Sequence, residues 1–543
     1  MVTLELARHL TGVSREIGRQ VGVLLSRDGA VKQVVVGDAA QLELPDIGRL
    51  RGGVGRFRGL RLVHTHLRGE SLTADDLNDL AMLRLDLVAA IQADAEGAPG
   101  AVEIAYLDPS AIAGGNPPPA ATPTDHAEPF VRIAAPSVHQ LDFHFEETID
   151  ALEAELAREV ARGVGQGRGE RALVIGVSHQ EHTFDEVVAL VGATDVTVAG
   201  SIRQRRGRLH PGTVVGKGKL VEIVLAAMRC GATVAIFDID LRPAQARGFE
   251  DATGLKTVDR TQLILDVFAQ RARSRDGKLQ VELAQLKYAL PRLTEKDAGL
   301  SRLTGGIGGR GPGETVLEIS RRRIRDRIRK LEREIDNLSR QRDVRRRQRR
   351  RAGTPVLSLI GYTNAGKSSL LNALTESEVV AADQLFSTLD PTSRRLRFPG
   401  EGEVVITDTV GFIADLPGDL VTAFRATLEE LRDADLLLHV ADAADPELER
   451  KLEAVDRLLG ELELADIPRL LLLNKADLVG ADQLAALVRR HDGLAVSARE
   501  RRGMAELVAA AAARLGRTRS WVKTTGERRD ASSTVPTSPT AAG

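Results

Sequence analysis

The chain has 543 residues, of which 43% are hydrophobic and 28% charged, proportions ordinary for a soluble globular protein of roughly three or four domains. Its single cysteine, Cys230, excludes an internal disulfide framework and a cysteine-rich zinc site. No uncharged apolar run reaches the roughly 18 residues of a membrane-spanning helix, and the N-terminus lacks the apolar core of a signal peptide. These features predict a cytoplasmic protein with no membrane-spanning segment.

Residues 1–113 are predicted to form an N-terminal α/β extension. Two apolar runs, Val21–Leu25 and Val31–Val36, flank a turn at Asp28-Gly29 and are typical of a β-hairpin. The hairpin and the alternating apolar runs that follow it predict a sheet in this part of the chain.

A pair of histidines follows the hairpin, in His64-Thr-His66, with Thr73-Ala-Asp-Asp76 downstream. This arrangement is similar to the H-x-H…S-x-x-D zinc pattern of MPN/JAMM-type domains, and it implies a related fold for the extension. The spacing is one residue shorter, and Leu67 stands in place of the usual proline. Two histidines and an aspartate could hold zinc with one position open. A pair of hydrogen-bonded structural histidines is the alternative.

Residues 114–170 are predicted to be a linker, because they begin with the proline-rich run 114–123 and continue into an amphipathic helix over Leu141–Val160. In residues 171–275 short apolar runs, such as Leu173–Val177 and Val234–Phe237, alternate with helical patterns. That alternation predicts a small parallel α/β domain.

Residues 276–352 are predicted to form an antiparallel helical hairpin, because two apolar seams with heptad-like spacing flank the glycine-rich run Gly305–Gly313. The first seam consists of Leu279, Leu283, Leu286, Leu290 and Leu293, and the second of Ile324, Ile328, Leu331, Ile335 and Leu338. The glycine-rich run would form a flexible tip between the two helices.

The second helix of this hairpin is strongly basic. Residues 321–351 contain sixteen Lys or Arg and five Asp or Glu, whereas the whole chain has a net charge of −1. Such one-sided charge indicates a polyanionic partner, and a nucleic acid is the best candidate. A solvated helix without a partner is the alternative.

A phosphate-binding motif follows the apolar strand Val356–Ile360. Its residues, in order, are Gly361, Tyr362, Thr363, Asn364, Ala365, Gly366, Lys367, Ser368 and Ser369. This is G-x-x-x-x-G-K-S between a strand and a helix, where backbone N–H groups can close around phosphate oxygens. Lys367 would place its charge beside the β- and γ-phosphates, and the Ser368 hydroxyl would be a ligand for Mg²⁺.

Two further elements are predicted to sense the γ-phosphate. Thr388 lies in a loop where its hydroxyl could join the Mg²⁺ shell. A strand ends in Asp408, Thr409, Val410 and Gly411, where the carboxylate can hold Mg²⁺ through water and the Gly411 N–H can bond the γ-phosphate. Lys367, Thr388 and Gly411 are therefore the predicted catalytic residues, and loss of the phosphate would release both loops.

The last two elements predict guanine selectivity. The run Leu471–Asp477 ends in N-K-x-D, where the Asp477 carboxylate can accept from N1–H and the 2-amino group of guanine. Lys475 would pack over the base and Asn474 would brace the phosphate loop. Ser497 and Ala498 would close over the base. Because adenine cannot satisfy that carboxylate, the chain is predicted to bind GTP and GDP.

These elements resemble the translation-factor-related P-loop GTPases, and the upstream residues resemble the HflX family. The runs that carry this resemblance are Gly254–Arg273, Lys278–Leu286, Gly311–Thr315 and Ala423–Leu431. The resemblance implies a GTPase that binds rRNA of the large ribosomal subunit and promotes ribosome splitting or rescue. It also implies RNA contact by Arg310, Arg321, Arg322 and Arg323.

The sequence thus predicts an α/β protein in which a P-loop GTPase domain (353–518) follows the small parallel α/β domain and the helical hairpin, with the N-terminal α/β extension before them and a disordered tail at 519–543. We expect a monomer.

Phe412 stands where many GTPases have a water-orienting glutamine, so intrinsic hydrolysis should be slow. Asn364 resembles the asparagine of K⁺-activated relatives; a loop-bracing role is the alternative. A GTPase acting on other structured RNA and a non-ribosomal protein adaptor are the alternative functions.

Overall fold

The computed structural model describes residues 2–42, 44, 57–108, 129–163, 169–204, 208–293, 316–352, 354–375, 392–398, 402–408, 411–412 and 429–526. The chain divides into two compact units, Met1–Leu263 and Ile264–Gly543. Within the described residues, no helix is both long enough and apolar enough to cross a membrane.

The first unit begins with a six-stranded sheet. Its strands are β1 (Val21–Ser26), β2 (Val31–Val36), β3 (Leu60–His66), β4 (Leu87–Ala93), β5 (Pro99–Leu107) and β6 (Phe130–Ala135), in the order β2-β1-β3-β4-β5-β6. Strands β3 and β4 run parallel, and the other neighbours are antiparallel. The predicted hairpin over Val21–Val36 is thus present as β1 and β2.

Helices cover both faces of this sheet because successive apolar side chains on its strands point alternately to one face and to the other. The helices are α1 (Leu4–Ile17), α2 (Ala74–Met82) and α3 (Phe145–Gly163). Helices α1 and α3 pack on the face that carries Val23 and Val63, and α2 packs on the face that carries Leu24 and Leu62.

The predicted end of the extension at residue 113 differs from the structure. Strand β6 pairs with β5, and α3 contributes Ile149, Leu152 and Leu156 to the same core, so this domain continues beyond the proline-rich run. That run lies outside the described residues. The sequence pattern did not show the extra strand because Phe130–Ala135 is short and isolated from the other strands along the chain.

A second sheet of the first unit is fully parallel, as predicted. It contains β7 (Arg171–Gly176), β8 (Thr197–Arg203), β9 (Val234–Phe237) and β10 (Lys256–Val258) in the order β10-β9-β7-β8. Its helices are α4 (Glu181–Gly192), α5 (Lys217–Cys230) and α6 (Pro243–Thr253). Helix α5 shares an apolar cluster with α3, so the two domains of this unit are packed together. Helix α7 (Arg260–Arg271) follows.

The second unit contains the predicted helical hairpin, formed by α8 (Arg275–Ala289) and α9 (Val316–Ala352). The two seams pack on each other as one cluster, with Leu331 fully buried. Leu293, predicted as part of the first seam, is not in that cluster. Helix α8 ends at Ala289 and a 3₁₀ turn containing Pro291 follows, because proline has no N–H to continue the helix. The glycine-rich tip, including Arg310, lies outside the described residues.

The GTPase domain is a six-stranded sheet in the order β12-β13-β11-β14-β15-β16. Its strands are β11 (Val356–Ile360), β12 (Thr392–Phe398), β13 (Gly402–Asp408), β14 (Leu436–Asp442), β15 (Arg469–Asn474) and β16 (Leu494–Ala495). Only β12 runs antiparallel to its neighbour among these described strands. The helices are α10 (Lys367–Thr375), α11 (Leu448–Glu461), α12 (Ala481–His491) and α13 (Met504–Gly526). Helix α13 continues past the predicted domain end at 518 into the predicted disordered tail, where residues 519–525 contain neither Pro nor Gly.

Candidate nucleotide-binding site

The phosphate loop leaves the carboxyl end of β11, the fully buried strand between β13 and β14. Parallel strands place their carboxyl ends at one edge of the sheet, and here Leu359 of β11 pairs with Asp408 of β13. Helix α10 begins at Lys367, directly after the loop. The predicted phosphate loop and the predicted Mg²⁺ carboxylate are therefore adjacent.

Two glycines are required by the path of this loop. Gly361 has φ +145°, and a Cβ there would lie 2.1 Å from the Val440 carbonyl oxygen. Gly366 has φ +93°, and a Cβ there would lie 2.2 Å from Nδ2 of Asn474. Both distances are far below van der Waals contact, so the loop can take this close path only with glycine at these positions.

Lys367 is enclosed by the loop that it follows. Its ammonium group donates to the Gly361 carbonyl at 3.0 Å and to the Tyr362 carbonyl at 2.8 Å. The side chain is buried, and this loss of hydration lowers the pKa of Lys367 to about 8, although the charge of Asp408 acts in the opposite direction. The loop thus holds a cation in its centre.

Ser368 and Asp408 form a pair of oxygen donors beside this cation. The Ser368 hydroxyl donates to Oδ2 of Asp408 at 2.7 Å, and both side chains are buried. A hydroxyl and a carboxylate are hard oxygen ligands of the kind that Mg²⁺ prefers, so the donor set fits that ion. Thr388, Thr409 and Val410 lie outside the described residues.

Gly411 and Phe412 join the end of β13 to the phosphate loop. The Phe412 N–H donates to the Gly361 carbonyl at 3.1 Å, and the Thr363 N–H donates to the Phe412 carbonyl at 2.7 Å. A Cβ at Gly411 would lie 2.8 Å from Thr363 and 3.1 Å from the Lys367 ammonium, which shows how closely this backbone approaches the loop. The Phe412 ring is buried and cannot orient a water molecule by a hydrogen bond.

Asn474 links the phosphate loop to the segment that is predicted to close over the base. Its amide donates to the Ala365 carbonyl at 2.9 Å and accepts from the Ala498 N–H at 3.1 Å. The side chain is 2% exposed, so neither hydrogen bond competes with bulk water. The structure therefore brings the loop, N-K-x-D and Ser497–Ala498 together.

The Asp477 carboxylate is oriented by a residue that lies just beyond the end of β16. The Ser497 hydroxyl donates to Oδ1 of Asp477 at 2.6 Å, and this hydrogen bond holds the pKa of Asp477 below its ordinary value. The carboxylate is consequently an acceptor at neutral pH. Ser369 follows Ser368 in the first turn of α10 and is half-buried.

The sequence interpretation missed two residues of this site. Asp442, the last residue of β14, lies 2.7 Å from the Lys475 ammonium and so positions the lysine of N-K-x-D. Lys451 of α11 lies over the Tyr362 ring at 5.1 Å from its centroid and forms an ion pair with Asp445. An acidic residue at the end of a buried strand was the available signal for Asp442, whereas nothing in the local sequence marks Lys451.

The predicted RNA-contact arginines differ in their surroundings. The Arg321 guanidinium is partly buried and donates to the Leu293 carbonyl at 3.0 Å, so it stabilises the hairpin. Arg322 and Arg323 are exposed. Arg310 lies outside the described residues.

Comparisons with known proteins agree with this geometry. Residues 356–475 match the family model described as "50S ribosome-binding GTPase", residues 181–269 match "GTP-binding GTPase N-terminal", and residues 271–349 match "GTP-binding GTPase Middle Region". The chain is 46% identical over 330 residues to "GTPase HflX" of Caldanaerobacter subterraneus subsp. tengcongensis, a match covering 61% of this chain and 76% of that relative. It is 48% identical over 315 residues to "GTPase HflX" of Escherichia coli K12, covering 57% of this chain and 74% of the relative.

The chain belongs to the HflX GTPase family. The predicted family is thus confirmed, as are the α/β fold with a P-loop domain and the assignment as an enzyme that hydrolyses GTP. The three family-model matches span residues 181–475, so the N-terminal six-stranded sheet lies outside all three of them.

The environment of Lys367 predicts a pH dependence of nucleotide binding. Because its pKa in the free protein is about 8, the ammonium loses its proton as the pH rises above that value, and the attraction for phosphate falls. We expect GTP affinity to drop about tenfold between neutral pH and one unit above this pKa. Titration of a fluorescent GTP analogue at several pH values would measure it, and a constant affinity over this range would contradict the assignment.

Proposed function

We propose that this HflX family member is a GTP-dependent switch that binds the large ribosomal subunit through rRNA and promotes splitting or rescue of ribosomes. The observation that carries the proposal is the basic helix α9. Its apolar seam is covered by α8, whereas its remaining faces present a row of exposed cations to solvent: Arg322, Arg323, Arg325, Lys330, Arg333 and Arg340. Contacts between such cations and phosphates dominate affinity for RNA.

The chemistry at the nucleotide is proposed to follow from the contacts of the site. Lys367 would exchange its two carbonyl partners for β- and γ-phosphate oxygens, and Asp477 would accept from guanine. Ser368 and Asp408 would hold Mg²⁺, with Thr388 as a further ligand. A bound Mg²⁺ would neutralise charge on the phosphates. The Gly411 N–H would bond the γ-phosphate, which would couple the end of β13 to the presence of GTP.

Slow intrinsic turnover is part of this proposal. The buried Phe412 offers no hydrogen bond to an attacking water, so a partner would have to complete the site. Asn364 has an exposed side chain and φ +63°. Asparagine tolerates this left-handed conformation better than most residues. The backbone of the turn is therefore a sufficient reason for asparagine at this position, whether or not an ion binds there. A K⁺ ion bound at Asn364 remains a proposal.

Co-sedimentation with purified ribosomal subunits tests the partner. Binding to the large subunit with a non-hydrolysable GTP analogue, and weaker binding with GDP, is the expected result. Binding to neither subunit in either state would overturn the ribosome proposal. A protein captured equally by unrelated structured RNA would favour the alternative of a GTPase acting on other RNA.

Removing charge from α9 should weaken that binding in a salt-dependent manner. In the double variant Arg322→Gln/Arg323→Gln, we expect the plot of log affinity against log salt concentration to become less steep. Its slope should decrease in magnitude by about 1 for each phosphate contact that is lost. Arg321 is left intact because it holds the Leu293 carbonyl.

The matched control changes Arg489 and Arg490, adjacent exposed arginines at the end of α12, to glutamine. Its binding and salt slope should equal those of the unmodified chain. Equal loss in both double variants would indicate nonspecific attraction, and no loss in either would favour the protein-adaptor alternative.

A further inference from the structure

Three potential metal ligands converge in the N-terminal sheet domain, outside the nucleotide site. Nε2 of His64 lies 2.9 Å from Nε2 of His66 and 3.1 Å from Oδ1 of Asp76, and Nε2 of His66 lies 3.5 Å from Oδ2 of Asp76. The two imidazoles are 0% and 1% exposed and the carboxylate is 13% exposed. Within the described part of the chain, this is the one group of three or more such residues whose ligand atoms lie this close together.

The fold places these side chains from two elements. His64 and His66 are two residues apart on β3 and therefore point to the same face of the sheet. Asp76 lies in the first turn of α2, where Thr73 caps the helix. The Thr73 hydroxyl and the Thr73 N–H each donate to Oδ2 of Asp76 at 2.7 Å. The cap thus fixes the carboxylate opposite the histidines.

A backbone carbonyl determines the tautomer of His66. Nδ1 of this ring lies 3.0 Å from the Glu70 carbonyl oxygen, which can only accept a hydrogen bond. In the neutral ring the proton is therefore on Nδ1, and Nε2 directs its lone pair at His64 and Asp76. Such a second contact is what orients histidine ligands in metal centres.

The distances among the three atoms suit a small tetrahedral ion. Metal–nitrogen bonds of about 2.0–2.1 Å in a tetrahedral site place neighbouring ligand atoms about 3.3 Å apart. The observed separations of 2.9, 3.1 and 3.5 Å reach that value with shifts of a few tenths of an ångström. We propose that His64, His66 and Asp76 form a binding site for a divalent transition-metal ion of the zinc class, with a fourth position open to water.

The ligand set argues against the hard cations. Two imidazole nitrogens suit Zn²⁺ and its neighbours, whereas Mg²⁺ and Ca²⁺ prefer oxygen ligands. The sequence left open a second arrangement, in which the two histidines are a hydrogen-bonded structural pair without a metal. The experiment must distinguish the metal site from that pair.

A bound ion would connect the strand to the helix that packs between the two domains of this unit. Asp75, next to the ligand Asp76, lies 3.4 Å from the Lys217 ammonium at the start of α5, and Met82 at the end of α2 packs against the apolar clusters of both domains. We therefore expect metal to raise the thermal stability of the first unit.

The test uses the full chain, freed of metal with a chelator and saturated with Mg²⁺ and GDP so that the nucleotide site is occupied. After incubation with Zn²⁺ and gel filtration, elemental analysis should find one zinc per chain. Cobalt in place of zinc should give the intense visible absorption of a four-coordinate site. Zinc should also raise the temperature of thermal unfolding.

Two variants and one control complete the test. His66→Ala and Asp76→Asn should both lose the bound zinc and the shift in unfolding temperature, and Asp76→Asn retains an oxygen that accepts from Thr73. His144→Ala changes an exposed histidine outside the cluster and should bind zinc normally. The proposal would be overturned if the unmodified chain bound no stoichiometric zinc, or if both variants bound as much zinc as the unmodified chain. Either result would mean that the histidines have only a structural role.

Discussion

Replacing Lys367 with alanine should lower the rate of GTP hydrolysis by about 100-fold or more, since a cation aimed at the transferring phosphate contributes on this scale. In the structure this ammonium is buried and is held by two carbonyl groups of the phosphate loop, at 3.0 and 2.8 Å. Alanine removes the charge and also the two hydrogen bonds to carbonyl groups of the loop. Single-turnover hydrolysis with saturating protein is the measurement.

Lys256→Ala is a suitable control for this prediction, because Lys256 is an exposed lysine of β10 whose ion pair with Glu170 lies on the surface of the first unit. Its hydrolysis rate should be unchanged. The unfolding temperature of both variants shows whether the chain still folds. Undiminished hydrolysis in a folded Lys367→Ala protein would mean that the phosphates bind elsewhere.

Changing Asp477 to asparagine should reverse the base preference from guanine toward xanthine. The carboxylate can accept two hydrogen bonds from guanine, whereas an amide offers one acceptor and one donor, and the donor suits the 2-oxo group of xanthine. An unpaired donor or acceptor costs about 1–3 kcal/mol, so we expect a loss of GTP affinity of roughly 10- to 100-fold together with a gain for XTP. Competition between GTP and XTP for a fluorescent nucleotide would measure both changes.

Ser497→Ala provides a graded comparison. The Ser497 hydroxyl donates to Asp477 at 2.6 Å and accepts from the Glu500 N–H at 3.1 Å, so its loss frees the carboxylate to rotate while leaving its charge. We expect weaker GTP binding with guanine selectivity retained. Retained GTP selectivity in Asp477→Asn itself would place the base elsewhere in the domain.

Local sequence was informative where the chemistry depends on consecutive residues. The phosphate loop, the end of β13, N-K-x-D and Ser497–Ala498 were each predicted from a few neighbours in sequence, because parallel strands deliver their carboxyl ends to one edge. The paired seams of α8 and α9 were predicted for a similar reason, since a heptad-like spacing fixes one apolar face per helix.

Local sequence was insufficient where a contact joins distant parts of the chain. The Asp442–Lys475 ion pair, the position of Lys451 over Tyr362 and the pairing of β6 with β5 all depend on how separate elements meet. A short strand such as β6 has no signal of its own, because its stability comes from its neighbours in the sheet.

The sequence by itself predicted the family, through a resemblance, and the binding of GTP, through consecutive motifs. It also predicted the order of elements, because that order follows from periodicity within single segments. Tertiary structure decided which side chains form hydrogen bonds and ion pairs with one another. His64 and His66 could be paired from sequence, but the distance of each to Asp76 and the Glu70 carbonyl that sets the tautomer appear only when β3 and α2 are packed. Distances of a few ångströms between separate elements are set by packing, and short-range pattern does not contain them.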